Sequence, residues 1–188
     1  MTQRIPVTTS DDRDERTEEL LATMRRSDGS DLNIFATLAH HPKLLKRWAA
    51  FGGTLLFGGV LPGRDRELLI LRTAFLCRAE YEWGQHVLIG RAAGITDDEI
   101  DRIADKEIAL DWDPHDRALL LAADELHADC VISDEVWEQL AATYDYQQLI
   151  EVCMVVGQYH MVAFTLNSLG VELESDPGLA RFPDDARS

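Results

Sequence analysis

Residues able to move protons crowd into one stretch, Arg66–Ala93, which reads RELLILRTAFLCRAEYEWGQHVLIGRAA. Glu67 stands near the start of a strongly apolar helical run, and Glu80, Glu82 and His86 follow on the next. Carboxyl groups and an imidazole beside so much apolar surface are costly unless they pair with one another or handle protons. Glu82 and His86 are four residues apart, the spacing at which two side chains share a helix face, and Ile89, Gly90 and Ala93 continue that stripe. The expected contact is therefore a Glu82–His86 hydrogen bond, with the carboxylate fixing the imidazole's tautomer and raising its basicity for proton donation and acceptance. An antiparallel return through Arg78–Ala79 brings Glu67 back to the same pocket.

Those residues need rigid supports, and the pattern around them is helical throughout, with no convincing strand pair. The expected fold is all-α: one domain of about eight helices, its centre formed by Arg64–Arg78 and Glu80–Ala93. Helices are expected at Glu15–Arg26, capped by Asp11 or Asp12, and from Leu32 to the break at His40-His41-Pro42. Lys43–Phe57 follows, with Leu44, Leu45, Trp48, Phe51 and Leu55 on one stripe. Thr96 and Glu99 have capping-box spacing before Asp97–Ala104. Pro114 opens a helix to about Ala128, and Ser133 precedes one through Thr143. A long last helix starts at Asp145 or Tyr146 and runs to Leu169, with Gly170 as its cap. Residues 1–12 read as a loose arm, 13–171 as the helical domain and 172–188 as an acidic extended tail, able to lie across a neighbouring subunit.

Bulk properties narrow the partners. A net charge of −16 excludes nucleic acid as the main partner, because phosphate binding needs clustered Lys and Arg. At 188 residues one domain buries roughly 70% of its unfolded surface. Helices apolar on nearly every face need more cover than that, so a homo-oligomer, a trimer or hexamer, is expected. No uninterrupted apolar run reaches the roughly 18 residues of a membrane span; the region Leu149–Leu169 is broken by Cys, Gly, Gln, His and Asn. The first residues lack a signal-peptide core, and three cysteines without CxxC spacing suggest the reducing cytoplasm. Cys77, Cys130 and Cys153 read as small buried hydrophobes. No metal site is expected, at His40-His41 or elsewhere, and His115 and His127 read as surface residues.

The pattern REL…AEYEW..H……AGIT..EI over Arg66–Ile100 resembles the carboxymuconolactone decarboxylase family, which includes the alkylhydroperoxidase D-like proteins. LAHHPKLLKRW upstream, with ISDEVWEQL and VVGQYHMVAFTLNSLGVE downstream, extends the likeness over most of the chain. The resemblance implies an all-helical fold and oligomeric assembly. Its peroxide-reducing members use a CxxC pair with an upstream glutamate and a downstream histidine. Glu67 and His86 match the latter two, while Ala79 and Glu82 stand at the cysteine positions, so the thiol–disulfide cycle has no chemistry here.

The decarboxylase branch therefore fits better. It implies cofactor-free acid–base chemistry, decarboxylation or isomerisation, on a small lactone or keto acid. His86 is then the proton donor, held by Glu82, and Glu67 orients His86 or substrate. Arg72 and Arg78 are the nearest candidate carboxylate anchors, Arg72 the more notable because it interrupts an apolar helix; Tyr81, Tyr159 and His160 are further substrate contacts, or packing residues. Two rival readings are a redox protein using Cys77 or Cys153 and a non-catalytic oligomeric binding protein.

Overall fold

A computed structural model describes residues 2–183. Met1 of the expected arm and residues 184–188 of the expected tail lie outside the described residues. Nine α-helices occur among them, with no strand: α1 (Glu15–Ala22), α2 (Asn33–Leu38), α3 (Pro42–Phe57), α4 (Gly63–Leu76), α5 (Glu80–Ala92), α6 (Asp97–Ile103), α7 (Pro114–Asp129), α8 (Asp134–Ala141) and α9 (Tyr146–Leu169).

Most helix ends follow local chemistry. Thr96 and Glu99 form the expected capping box of α6, and Asp145 and Gln148 form another at α9. Gly170 ends α9 at φ 68°, a conformation that costs glycine little. Asp11 and Asp12 lie instead in a short 3₁₀ turn, Ser10–Asp12; the cap of α1 is Asp14, which accepts from the Thr17 amide at 2.8 Å. His41 is also a cap, its ring nitrogen receiving the Leu44 amide at the start of α3. That role accounts for the His40-His41-Pro42 break without a metal.

The central layer is α4, packed between α5, α7 and α9. Every residue from Glu67 to Ala74 is buried. Its apolar faces are thus covered by the chain itself, and no second copy is needed for them. The exposed large apolar residues concentrate on α3 and α9, among them Phe57, Ile150, Met154, Met161 and Phe164. Helix α9 is long and apolar enough to cross a membrane by length and composition alone, yet half of that window is buried inside this domain.

The described residues before α1 and after α9 fold onto the helices. The amide of Arg4 donates to the Leu169 carbonyl at 2.9 Å, and the buried Thr8 hydroxyl to the Ala36 carbonyl at 2.8 Å. Residues 173–182 run without a helix along α5. A Cβ on Gly84 would sit 2.6 Å from Leu173 Cδ2, and Phe182 stacks on Phe75 at 6.2 Å.

Arg72 is 1% exposed and locks this core. Its guanidinium grips Asp124 of α7 through two bonds, 2.6 and 2.9 Å, and donates to the carbonyls of Ile103 and Asp105 at 2.7 and 2.6 Å. All of its strong interactions are with protein, which removes it as the expected substrate anchor. Replacing Arg72 with Ala strands those acceptors and should destabilise the fold by about 3 kcal/mol. Urea denaturation checks this, with no change expected in the cavity described below.

Candidate active site

Glycine at position 90 sets the geometry. A Cβ there would lie 3.2 Å from Leu71 Cδ1 and 3.9 Å from Glu67 Cβ, so α5 approaches α4 closely at this level. One turn earlier, on the same face, His86 reaches α4: its Nδ1 lies 2.7 Å from Glu67 Oε2. The other Glu67 oxygen accepts from Arg66 Nε at 3.0 Å. Glu67, fully buried, is satisfied on both oxygens. With Glu67 accepting from Nδ1–H, the lone pair of His86 is on Nε2, and His86 is one of the residues lining a cavity of about 380 Å³. The ring stands edge-on to Tyr159, centroids 4.9 Å apart at 89°.

His86 therefore does not take Glu82 as its partner, as the four-residue spacing suggested. Spacing on a helix makes two side chains neighbours, but the direction of the ring follows from packing against α4. Both Glu82 oxygens are occluded and have no hydrogen-bond partner in the chain. Burial pushes this carboxyl well above the usual glutamate range, so it keeps its proton where an ordinary glutamate has lost it. Tyr159 is also held as a phenol, first by burial and then by the nearby Glu67.

The cavity lies between α2, α3, α5 and α9 and is largely apolar, with Phe35, Trp48, Leu56, Ile89 and Val162 among its walls. Its polar walls are Glu82, His86, Tyr159, Tyr81, Gln85 and Gln158. Among the described residues no Lys or Arg lines it. Gln158 is buried, with its Oε1 unpartnered, and sequence reasoning passed over it because a glutamine within an apolar helix has no distinctive spacing. Tyr81 and Gln85 line the cavity but are bound to the tail: the Tyr81 hydroxyl donates to Glu174 Oε1 at 2.8 Å, and Gln85 Nε2 to Glu174 Oε2. Glu174 thus couples the tail to the cavity wall.

Of the expected site residues, Glu67, Glu82, His86, Tyr81 and Tyr159 converge here. Arg72 does not, and neither does His160, which meets His127 at 2.9 Å behind α9, beside Cys77. His127 is exposed as expected, yet it belongs to that cluster. His115 is more than a surface residue: its Nε2 lies 3.1 Å from Asp65 Oδ2, and the Tyr144 hydroxyl donates to the same oxygen at 2.5 Å. None of the three cysteines lines the cavity. The Cys77 thiol is pushed up to about 12, chiefly by burial, which leaves it without thiolate character.

Residues 42–125 match the model of the carboxymuconolactone decarboxylase family. No curated protein matches the chain. Among solved structures, an uncharacterized peroxidase-related protein from Ralstonia eutropha JMP134 with an alkylhydroperoxidase AhpD core aligns with a TM-score of 0.80 at 20% identity, over 92% of this chain and 93% of its own. A peroxidase-related protein from Silicibacter sp. TM1040 aligns at 0.80 with 14% identity, over 97% and 99%. The debrominase Bmp8, in a variant bound to 2,3,4-tribromopyrrole, aligns at 0.74 with 15% identity, over 93% of each chain. At such identities these likenesses speak for the fold alone. The chain thus has the all-helical fold of these alkylhydroperoxidase D-like structures, and its residues 42–125, a little under half of its length, match the carboxymuconolactone decarboxylase family.

Proposed function

We propose that this protein is an enzyme of cofactor-free acid–base chemistry that isomerises a small, uncharged lactone or carbonyl compound through its enol. The observation that carries the reading is the meeting at one apolar cavity of a proton-bearing Glu82 with no hydrogen-bond partner and a His86 that Glu67 orients through Nδ1. In the reaction, His86 Nε2 takes a proton from carbon beside the carbonyl. Glu82, its carboxyl turning from the occluded position into the cavity as substrate enters, gives its proton to the carbonyl oxygen, and the Tyr159 hydroxyl supports the developing charge. Return of a proton from His86 to a different carbon, and of the enol proton to Glu82, completes the isomerisation.

Decarboxylation of an acid is supported less well. A carboxylate entering this cavity would be desolvated without a permanent cation, since Arg72 is bound to Asp124 and no Lys or Arg among the described residues lines the wall. Peroxide reduction, suggested by the names of two similar structures, lacks a thiol at the cavity.

We also propose self-association through α9. Ile150, Met154, Gly157, Met161 and Phe164 are exposed and recur at alternating steps of four and three residues. That is the seam along which one helix packs against another. Gly157 has open space around its Cα, leaving room for a close approach.

Three outcomes test these readings. In D₂O, NMR of a panel of small lactones and cyclic ketones should show enzyme-dependent exchange of the proton beside the carbonyl. His86→Gln should slow it about 10²- to 10⁴-fold, and Glu67→Gln should lower kcat with little change in KM. Exchange that ignores His86→Gln would overturn the proposal. For Glu82, folding favours the protonated form, so its contribution is complete below the ordinary glutamate value of 4.5 and is lost as pH rises through the elevated folded value. Glu82→Gln should therefore gain stability relative to the parent as pH increases, measured by urea denaturation from about pH 4 to 9. Met154→Glu or Phe164→Glu should reduce the particle mass seen by light scattering; a monomeric parent would end the oligomer reading.

A further inference from the structure

Three ligating side chains converge behind α9, away from the cavity. Cys77 is the C-cap of α4, His127 lies in the last turn of α7 and His160 lies midway along α9. Their Sγ, Nδ1 and Nε2 atoms all lie within 4.8 Å of one another. We propose that Cys77, His127 and His160 form a binding site for a zinc-class divalent cation, with the remaining coordination position open to water.

The supporting bonds prepare the ligands. His160 Nδ1 donates to the Val156 carbonyl at 2.8 Å, which leaves its Nε2 lone pair facing the cluster. A ring nitrogen anchored on a backbone carbonyl, with the other directed at the ion, is the usual outer-shell arrangement of a metal-bound histidine. Cys77 is held through its own backbone: its amide donates to the Thr73 carbonyl at 2.9 Å and its carbonyl accepts from Asn167 Nδ2 at 2.9 Å. The next residue, Arg78, turns the chain at φ 51°. The three ligands thus stand on three packed core helices, and assembling them costs little further ordering.

Distances fit an ion after small adjustments. Zinc–nitrogen bonds of about 2.05 Å and zinc–sulfur bonds of about 2.3 Å in a tetrahedron put N···N near 3.3 Å and N···S near 3.6 Å. The cluster has His127 Nδ1 2.9 Å from His160 Nε2 and 4.0 Å from Cys77 Sγ. The first pair opens and the second closes, each by about 0.4 Å, within reach of side-chain rotation. The ion replaces the proton shared between the two imidazoles; His127 then carries its proton on Nε2, and the Cys77 thiol proton leaves to solvent. Thiolate with imidazole suits zinc over magnesium or calcium, which prefer oxygen. His127 is exposed, so water reaches the open position.

The test uses the full-length chain freed of metal by chelation and titrated with Zn²⁺ against a chromophoric chelator, then with Co²⁺. The expected result is one ion per chain, with a thiolate-to-cobalt charge-transfer band. Cys77→Ser should abolish the band, and Cys77→Ser, His127→Gln and His160→Gln should each weaken Zn²⁺ binding more than about 100-fold, beyond the roughly 10- to 100-fold that an outer-shell loss costs. His127→Gln, at an exposed position, tests the site without a folding penalty, and Cys130→Ser outside the cluster should bind as the parent does. Absence of stoichiometric binding, or binding undiminished in Cys77→Ser and His127→Gln, would overturn the assignment.

Discussion

Two carboxyl groups buried between the central helices are the constraint around which this molecule is arranged. Glu67 and Glu82 both lie out of water, where an isolated carboxylate is strongly disfavoured. The fold resolves the two in opposite ways. Glu67 is paired on both oxygens, by Arg66 and His86. Glu82 has no partner and keeps its proton. One helical pair thus holds a hydrogen-bond acceptor that orients an imidazole and an acid that can give a proton away, and the chemistry follows from that asymmetry.

Other features of the core serve to keep the arrangement dry and rigid. Gly90 lets α5 approach α4 closely enough for the His86–Glu67 contact. Arg72 ties α4 to α7 and to the carbonyls that end α6, so the helix carrying Glu67 is anchored on the side away from the cavity. The tail, by placing Glu174 on Tyr81 and Gln85, fixes one wall of the cavity. An apolar lining strengthens every electrostatic interaction within it, which favours proton transfer to and from an uncharged substrate and disfavours entry of an anion.

The same helices carry a second constellation on their other side. Cys77, His127 and His160 come from positions 50 and 33 residues apart in the chain, and no motif joins them. Residues that look like ordinary surface or packing histidines when read singly become a ligand set once α4, α7 and α9 are packed. The thiol that is too buried to be a nucleophile is well placed to be a metal ligand, because a bound cation supplies the charge that a thiolate needs.

Local chemistry made most helix boundaries legible in the chain itself. The Thr96–Glu99 and Asp145–Gln148 pairs, Pro114 and Gly170 stop or start helices where short-range hydrogen bonding and φ preferences dictate. The apolar runs that carry Glu67, Glu82 and His86 were equally plain, since a period of about 3.6 residues is a local property. Partner choice was not. Whether His86 meets the acid four residues away or the one nineteen residues away depends on how closely two helices approach, and that is set at Gly90. Arg72 likewise looked like a substrate anchor because its partner, Asp124, lies 52 residues further on. Sequence determined which groups would be buried on helices; only the packed structure decided which of them would touch, because side-chain direction is a consequence of contacts between elements and not of spacing within one.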